Sequence, residues 1–221
     1  KSVSSRGGKQ LTPFEIDAAD YEENHHFFLS QYFRDNYDVA MKSLPNLKTG
    51  VTINRVEVWV TNKTGTTSNT RNIVALTDLG ENKKISRTDL WGMGTGAVPT
   101  NNANTEYTTI TQTFPAARDI DQVTGILDGA GLVGGNDYEK LANARLLNSS
   151  EYTVNTALGY ISMKSGVQTD QVLAIAYEYT YGGVTYQVGE FASDRTNINE
   201  ALFVKSLKNT SNNPKQGNWD L

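Results

Sequence analysis

Apolar residues change their spacing several times along this chain, and each change marks an element. Phe28, Leu29, Tyr32 and Phe33 recur at steps of three and four, which places them on one helical face. Asp20 serves as N-cap, with Glu22 and Glu23 in the first turn at the positive end of the helix. Asn36 caps a second short helix carrying Tyr37, Ala40, Met41 and Leu44, which Pro45 stops. Helix is therefore expected over 21–44. Residues 51–60 switch to strand chemistry, with Val51, Ile53, Val56, Val58, Trp59 and Val60 β-branched or aromatic. The apolar phase slips between Ile53 and Val56, which requires a bulge or burial on both faces. A turn at 62–65 and a second strand at 71–78, around Ile73 to Leu76, lead to the expectation of an antiparallel pair.

Residues 80–105 are poor in apolar side chains and rich in Gly and Asn, the signature of a long surface excursion. Weak alternation over 107–114 predicts an edge strand, and 119–127 and 137–147 read as short helices separated by glycines. Residues 153–164 alternate again. The strongest local pattern is a hairpin, with strands 171–181 and 184–191 joined by Gly182-Gly183. A two-residue loop sets Tyr181 against Val184, Tyr179 against Tyr186 and Tyr177 against Val188, and it requires positive φ at both glycines. Residues 201–207 form a last strand. The fold expected from these elements is α+β, a mainly antiparallel sheet of 51–60, 71–78, 107–114, 153–164, 171–181 and 184–191 flanked by several short helices at 21–44 and 119–147. Residues 1–12 read as a flexible lead-in, 13–208 as a single α+β domain and 209–221 as a polar exit segment.

Composition narrows the function classes. With Lys and Arg numbering 20 against 24 acidic residues and no basic run, nothing invites nucleic acid. Cysteine is absent, which removes disulfides, thiolate metal sites and cysteine nucleophiles together. The two histidines, His25 and His26, are adjacent; on a helix they point about 100° apart and cannot share a metal. Glu22 and His26 are four apart, but two ligands do not make a site. Gly92-Met-Gly-Thr-Gly96 does not lie between a strand and a helix, and Asp119, Asp121 and Asp128 lack calcium-loop spacing. No catalytic, cofactor-binding or metal-binding residue is assigned. One candidate interaction surface is left: Tyr177, Tyr179, Tyr181 and Tyr186 on one face of the hairpin. Such a row is more often the core side of a sheet, and only its exposure would make it a platform for carbohydrate or peptide.

Three sets of segments carry a resemblance. The first is Leu11-Thr-Pro-Phe-Glu-Ile16 with Asn24-His-His-Phe-Phe-Leu-Ser-Gln-Tyr-Phe-Arg-Asp-Asn-Tyr-Asp38. The second, the most specific, is Gly50-Val-Thr-Ile-Asn-Arg-Val-Glu-Val-Trp-Val-Thr-Asn62 with Thr70-Arg-Asn-Ile-Val-Ala-Leu-Thr-Asp-Leu-Gly-Glu81. The third is Tyr186-Gln-Val-Gly-Glu-Phe191, Ala201-Leu-Phe-Val-Lys205 and Trp219-Asp-Leu221. Together they resemble the SprA/Sov family of gliding motility and type IX secretion in Bacteroidetes. The resemblance implies a parent chain that forms a giant outer-membrane β-barrel through which folded cargo leaves the periplasm. It brings no enzymatic motif.

These 221 residues show no succession of lipid-facing membrane strands. Lys1 follows no leader, and Trp219 stands close to the end, so both termini read as cuts in a longer protein. The expectation is a non-enzymatic soluble insertion between barrel strands, at the cell surface by preference and periplasmic otherwise, that caps or gates the pore. Its implied partners are the rest of its own barrel chain, PorV-like and plug components of the secretion system, and secreted cargo. The rival expectation is a surface module that binds carbohydrate or peptide.

Overall fold

A computed structural model describes residues 15, 17, 22–94 and 96–211. The lead-in over 1–12, the Asp20 cap, the resemblance segment at 11–16 apart from Glu15, and Trp219 lie outside the described residues.

In chain order the elements are β1 (His26–Phe28), α1 (Gln31–Met41), β2 (Val51–Val60), β3 (Thr70–Leu76), α2 (Glu106–Thr113) and α3 (Val123–Gly129). They continue with β4 (Tyr138–Leu146), β5 (Tyr152–Asn155), β6 (Tyr160–Met163), β7 (Leu173–Tyr181), β8 (Val184–Val188) and β9 (Leu202–Lys208). The strands β2, β4, β3, β9 and β7 pair in that order, and β7 pairs again with β2, so the five close into a barrel. The β3–β9 pair is parallel, and the other pairs around the ring are antiparallel. β8 pairs with residues 177–181 of β7, beyond the stretch that β9 takes, and β1, β6 and β5 form a separate small sheet.

The expected α+β layout, a sheet flanked by helices, is therefore wrong. The protein is mostly β, 32% strand against 17% helix, with three α-helices among the described residues. The strands expected to pair, 51–60 and 71–78, are instead separated by β4. Closure explains this: a barrel satisfies both edges of every strand, so β2 takes β7 along its whole length and leaves β3 to β4 and β9.

Two cores result. Trp59, Ile73, Ala75, Leu141, Ala144, Ala174, Ala176, Leu202 and Val204 come from all five barrel strands and fill the interior. The opposite faces of β2, β3, β7 and β9 pack against residues from the helices and the small sheet, among them Phe27, Phe33, Ile110, Val123, Leu127 and Ile161. Burial on both faces accounts for the unbroken apolar run at 172–177. The phase slip in β2 is a bulge: pairing jumps from Ile53–Tyr179 to Arg55–Glu178, and the extra residue, Asn54, donates from Nδ2 to Thr180 Oγ1 at 2.8 Å.

Three further segments differ from expectation. The helix expected over 21–44 shrinks to α1, because residues 26–28 are taken by pairing with β6. Residues 107–114 are helix and 137–147 mostly strand, each the reverse of its reading. The single strand at 153–164 is the β5–β6 hairpin, turned at Gly159. The β7–β8 hairpin has the expected register, with φ of 58° at Gly182 and 79° at Gly183.

Candidate functional site

Among the described residues, two clusters of buried charge tie loops to the barrel, and a third buried charge, Lys208, donates to the carbonyls of Thr169, Gln171 and Asn209. At the first, β9 carries Lys205 into the protein with 0% exposure. Its ammonium lies 2.9 Å from Glu81 Oε1 and donates to the Thr77 carbonyl. Glu81 also accepts the Gln31 backbone N–H, which fixes the start of α1. Burial pushes the Glu81 carboxyl up, and Lys205 opposes it. Asp78 accepts the backbone N–H groups of Ser86 and Arg87 at 2.7 and 2.9 Å, and Asn104 donates to the carbonyls of Asp78 and Glu81. Arg87 reaches Asp137. Glu106 completes the cluster: it is 1% exposed, and its Oε2 has no hydrogen-bond partner among the described residues. Burial, with Asp78 next, holds its carboxyl well above the usual range. This network staples the excursion over 80–105 to the barrel, so that segment is not a free surface loop.

At the second, Glu190 accepts both terminal nitrogens of Arg118 at 2.9 and 2.7 Å, the Tyr107 hydroxyl at 2.8 Å and the Phe203 N–H at 3.0 Å; Arg195 adds a further bond. Burial alone would raise this carboxyl, but the bonds from Arg118, Phe203 and Arg195 outweigh it and hold it below its ordinary value. Every oxygen is committed to holding α2, the 115–118 turn and β9 together. Sequence reasoning missed both clusters; a lysine amid the apolar residues of 201–207 was the one local signal.

His26 lies on β1 instead of a helix, with Nδ1 2.8 Å from Ser162 Oγ and Nε2 2.9 Å from Glu22. The Glu22–His26 pair therefore does meet, through a strand and turn. Among the described residues no group of three or more His, Asp or Glu is placed to hold a metal.

The hairpin tyrosines divide. Tyr177 and Tyr179 are fully buried, ringed by Phe33 in edge-on contacts. Tyr186 is half-buried and stacks on Tyr179 with centroids 5.4 Å apart. Tyr181 alone is exposed, at 37%. It lines a cleft of about 340 Å³ with Tyr32, Phe33 and Tyr37 of α1, Lys48, and Leu158 of the β5–β6 turn. The cleft runs along the seam where α1 and the small sheet meet the barrel, and Val39, 67% exposed, stands on its rim. This is a concave, aromatic-lined surface to which a predicted residue contributes.

The family model for a motility related/secretion protein, SprA_N, matches residues 1–181. The chain belongs to the SprA_N family. The match covers α1, the small sheet and the barrel strands through β7, and with them all the residues that line the cleft. No curated protein matches the chain. As a SprA_N chain it is motility- and secretion-related, in agreement with the resemblance carried by 24–38 and 50–81.

Proposed function

We propose that this chain is a non-enzymatic docking module of an outer-membrane secretion translocon, which caps or gates the pore through contacts with its own barrel chain, PorV-like and plug components, or cargo. The observation that carries the reading is the division of labour between buried and exposed groups. The buried carboxylates Asp78, Glu81, Asp137 and Glu190 are bonded to main-chain N–H groups, Arg or Lys, and the fifth, Glu106, is enclosed at 1% exposure, so none is presented to a substrate. What faces outward is an aromatic cleft with an apolar rim, a surface fitted to contact. Family membership supports the setting in secretion and motility. No helix among the described residues is long and apolar enough to cross a membrane, so on this reading the attachment comes from the parent chain. Burial of Tyr177 and Tyr179 leaves the rival carbohydrate platform without most of its stacking surface.

The test is an in-frame deletion of residues 22–211 from the full-length protein in cells. The expected result is a parent protein still inserted in the outer membrane, with cargo secretion and gliding lost or leaky. Normal secretion and gliding after the deletion would overturn the reading.

A further inference from the structure

The lining of the cleft has a chemical bias. The chain has 24 acidic residues, yet no Asp or Glu lines the cleft. Its single charged lining residue is Lys48, whose ammonium has no hydrogen-bond or ion-pair partner among the described residues. Two of the polar groups beside it are already committed: Asn36 Nδ2 donates to the Tyr32 carbonyl at 2.7 Å, and Ser43 Oγ donates to the Ala40 carbonyl at 2.7 Å. The walls are Tyr32, Phe33, Tyr37, Tyr181, Val51 and Leu158. A slot walled by aromatic side chains, with one unspent cation and no carboxylate, attracts an acidic ligand and repels a basic one, and it rewards a bulky side chain.

We propose that this cleft docks a peptide segment of a partner protein in which a bulky aromatic or aliphatic side chain stands next to a carboxylate. The side chain enters between α1 and the β5–β6 turn, and the carboxylate meets Lys48 at the mouth. The volume of about 340 Å³ accommodates one large side chain with its backbone, not a folded surface. The proposal rests on the docking reading given above and names the chemistry of the docked segment.

The experiment titrates the 221-residue chain with acetyl-Gly-Phe-Asp-Gly-amide, its Asn analogue, its Lys analogue and maltotriose, following backbone amide shifts. The expected result is saturable shifts confined to 32–51, 157–158 and 181, with the Asp peptide binding roughly two- to fivefold tighter than the Asn peptide, as expected for one exposed ion pair. The Lys peptide binds weakest, and Lys48→Glu, at an exposed position, reverses the order of the Asp and Lys peptides. Equal binding of the three peptides, shifts elsewhere on the chain, or saturation by maltotriose with none by peptide would each overturn the proposal. So would a Lys48→Glu protein that keeps the wild-type order. Because the titration uses the chain alone, its failure leaves the outcome of the in-frame deletion untouched.

Discussion

Glu106 is the residue whose placement says most about the fold. It sits at the start of α2 with one oxygen unpartnered, facing Asp78, Glu81 and Asp137, and with Lys205 and Arg87 as the nearby cations. Four carboxylates against two cations leave the cluster short of positive charge, and a proton on Glu106 offsets the excess. Its folded carboxyl is held well above the ordinary value of 4.5, so the folded state keeps a proton that the unfolded chain has already released. The contribution is therefore complete at pH below about 4.5 and declines as pH rises toward the folded value. Urea unfolding of wild type and Glu106→Gln across pH 5–9 checks this: the wild-type advantage should shrink, or its deficit grow, as pH rises. A difference between the two that is independent of pH would show that Glu106 is ionised throughout. Apart from Lys205 amid apolar residues, this cluster was not legible in the sequence, because a Glu between Thr105 and Tyr107 carries no local sign of burial. The division of the tyrosine row was equally hidden: alternation assigns a face but does not say that Phe33 of α1 covers Tyr177 and Tyr179 while Tyr181 is left lining an open cleft.

Elements were readable where local chemistry is decisive and misread where the barrel imposes a second requirement. The Gly182-Gly183 turn and the slip in β2 follow from backbone geometry and are found as read. β4 failed for a physical reason. Tyr138, Leu141 and Ala144 are its buried apolar residues, a three-residue spacing that imitates a helix. Tyr138 and Leu141 face opposite cores, and a bulge at 142–143, with Asn143 at φ 52°, shifts Ala144 onto the same face as Leu141. Asn72 Oδ1 accepts the Asn143 N–H at 2.9 Å and pins the bulge. α2 failed in the opposite sense: its threonines favour strand, but Thr111 bonds its own helix at the Tyr107 carbonyl, 2.7 Å away, and Ile110 is packed in the core. Between elements, the tightest fit is Gly159 in the β5–β6 turn. It has φ 69°, and an added Cβ would sit 2.2 Å from the Phe33 ring of α1. Gly159→Ala is expected to cost about 2 kcal/mol or more through backbone strain and overpacking. Thermal unfolding checks it; a change below about 0.5 kcal/mol would show that α1 yields freely.

Taken whole, the molecule is a closed barrel whose outer face is clothed by short helices and a small sheet, with its charges spent on fastening loops and its cleft left open at the seam. Closure was not legible, because it depends on β9 joining β3 in parallel, across more than a hundred residues of chain, and the nearer β7 in antiparallel. The family was legible, since the segments at 24–38 and 50–81 lie within the matched residues 1–181. The central claim is that the exposed seam acts by contact in secretion. The most direct measurement is the amount of cargo secreted by cells whose full-length protein carries Val39→Glu with Tyr181→Ser, two substitutions at exposed positions lining the cleft. The account predicts a several-fold fall in secreted cargo at an unchanged amount of inserted protein. Wild-type secretion from such cells would contradict it.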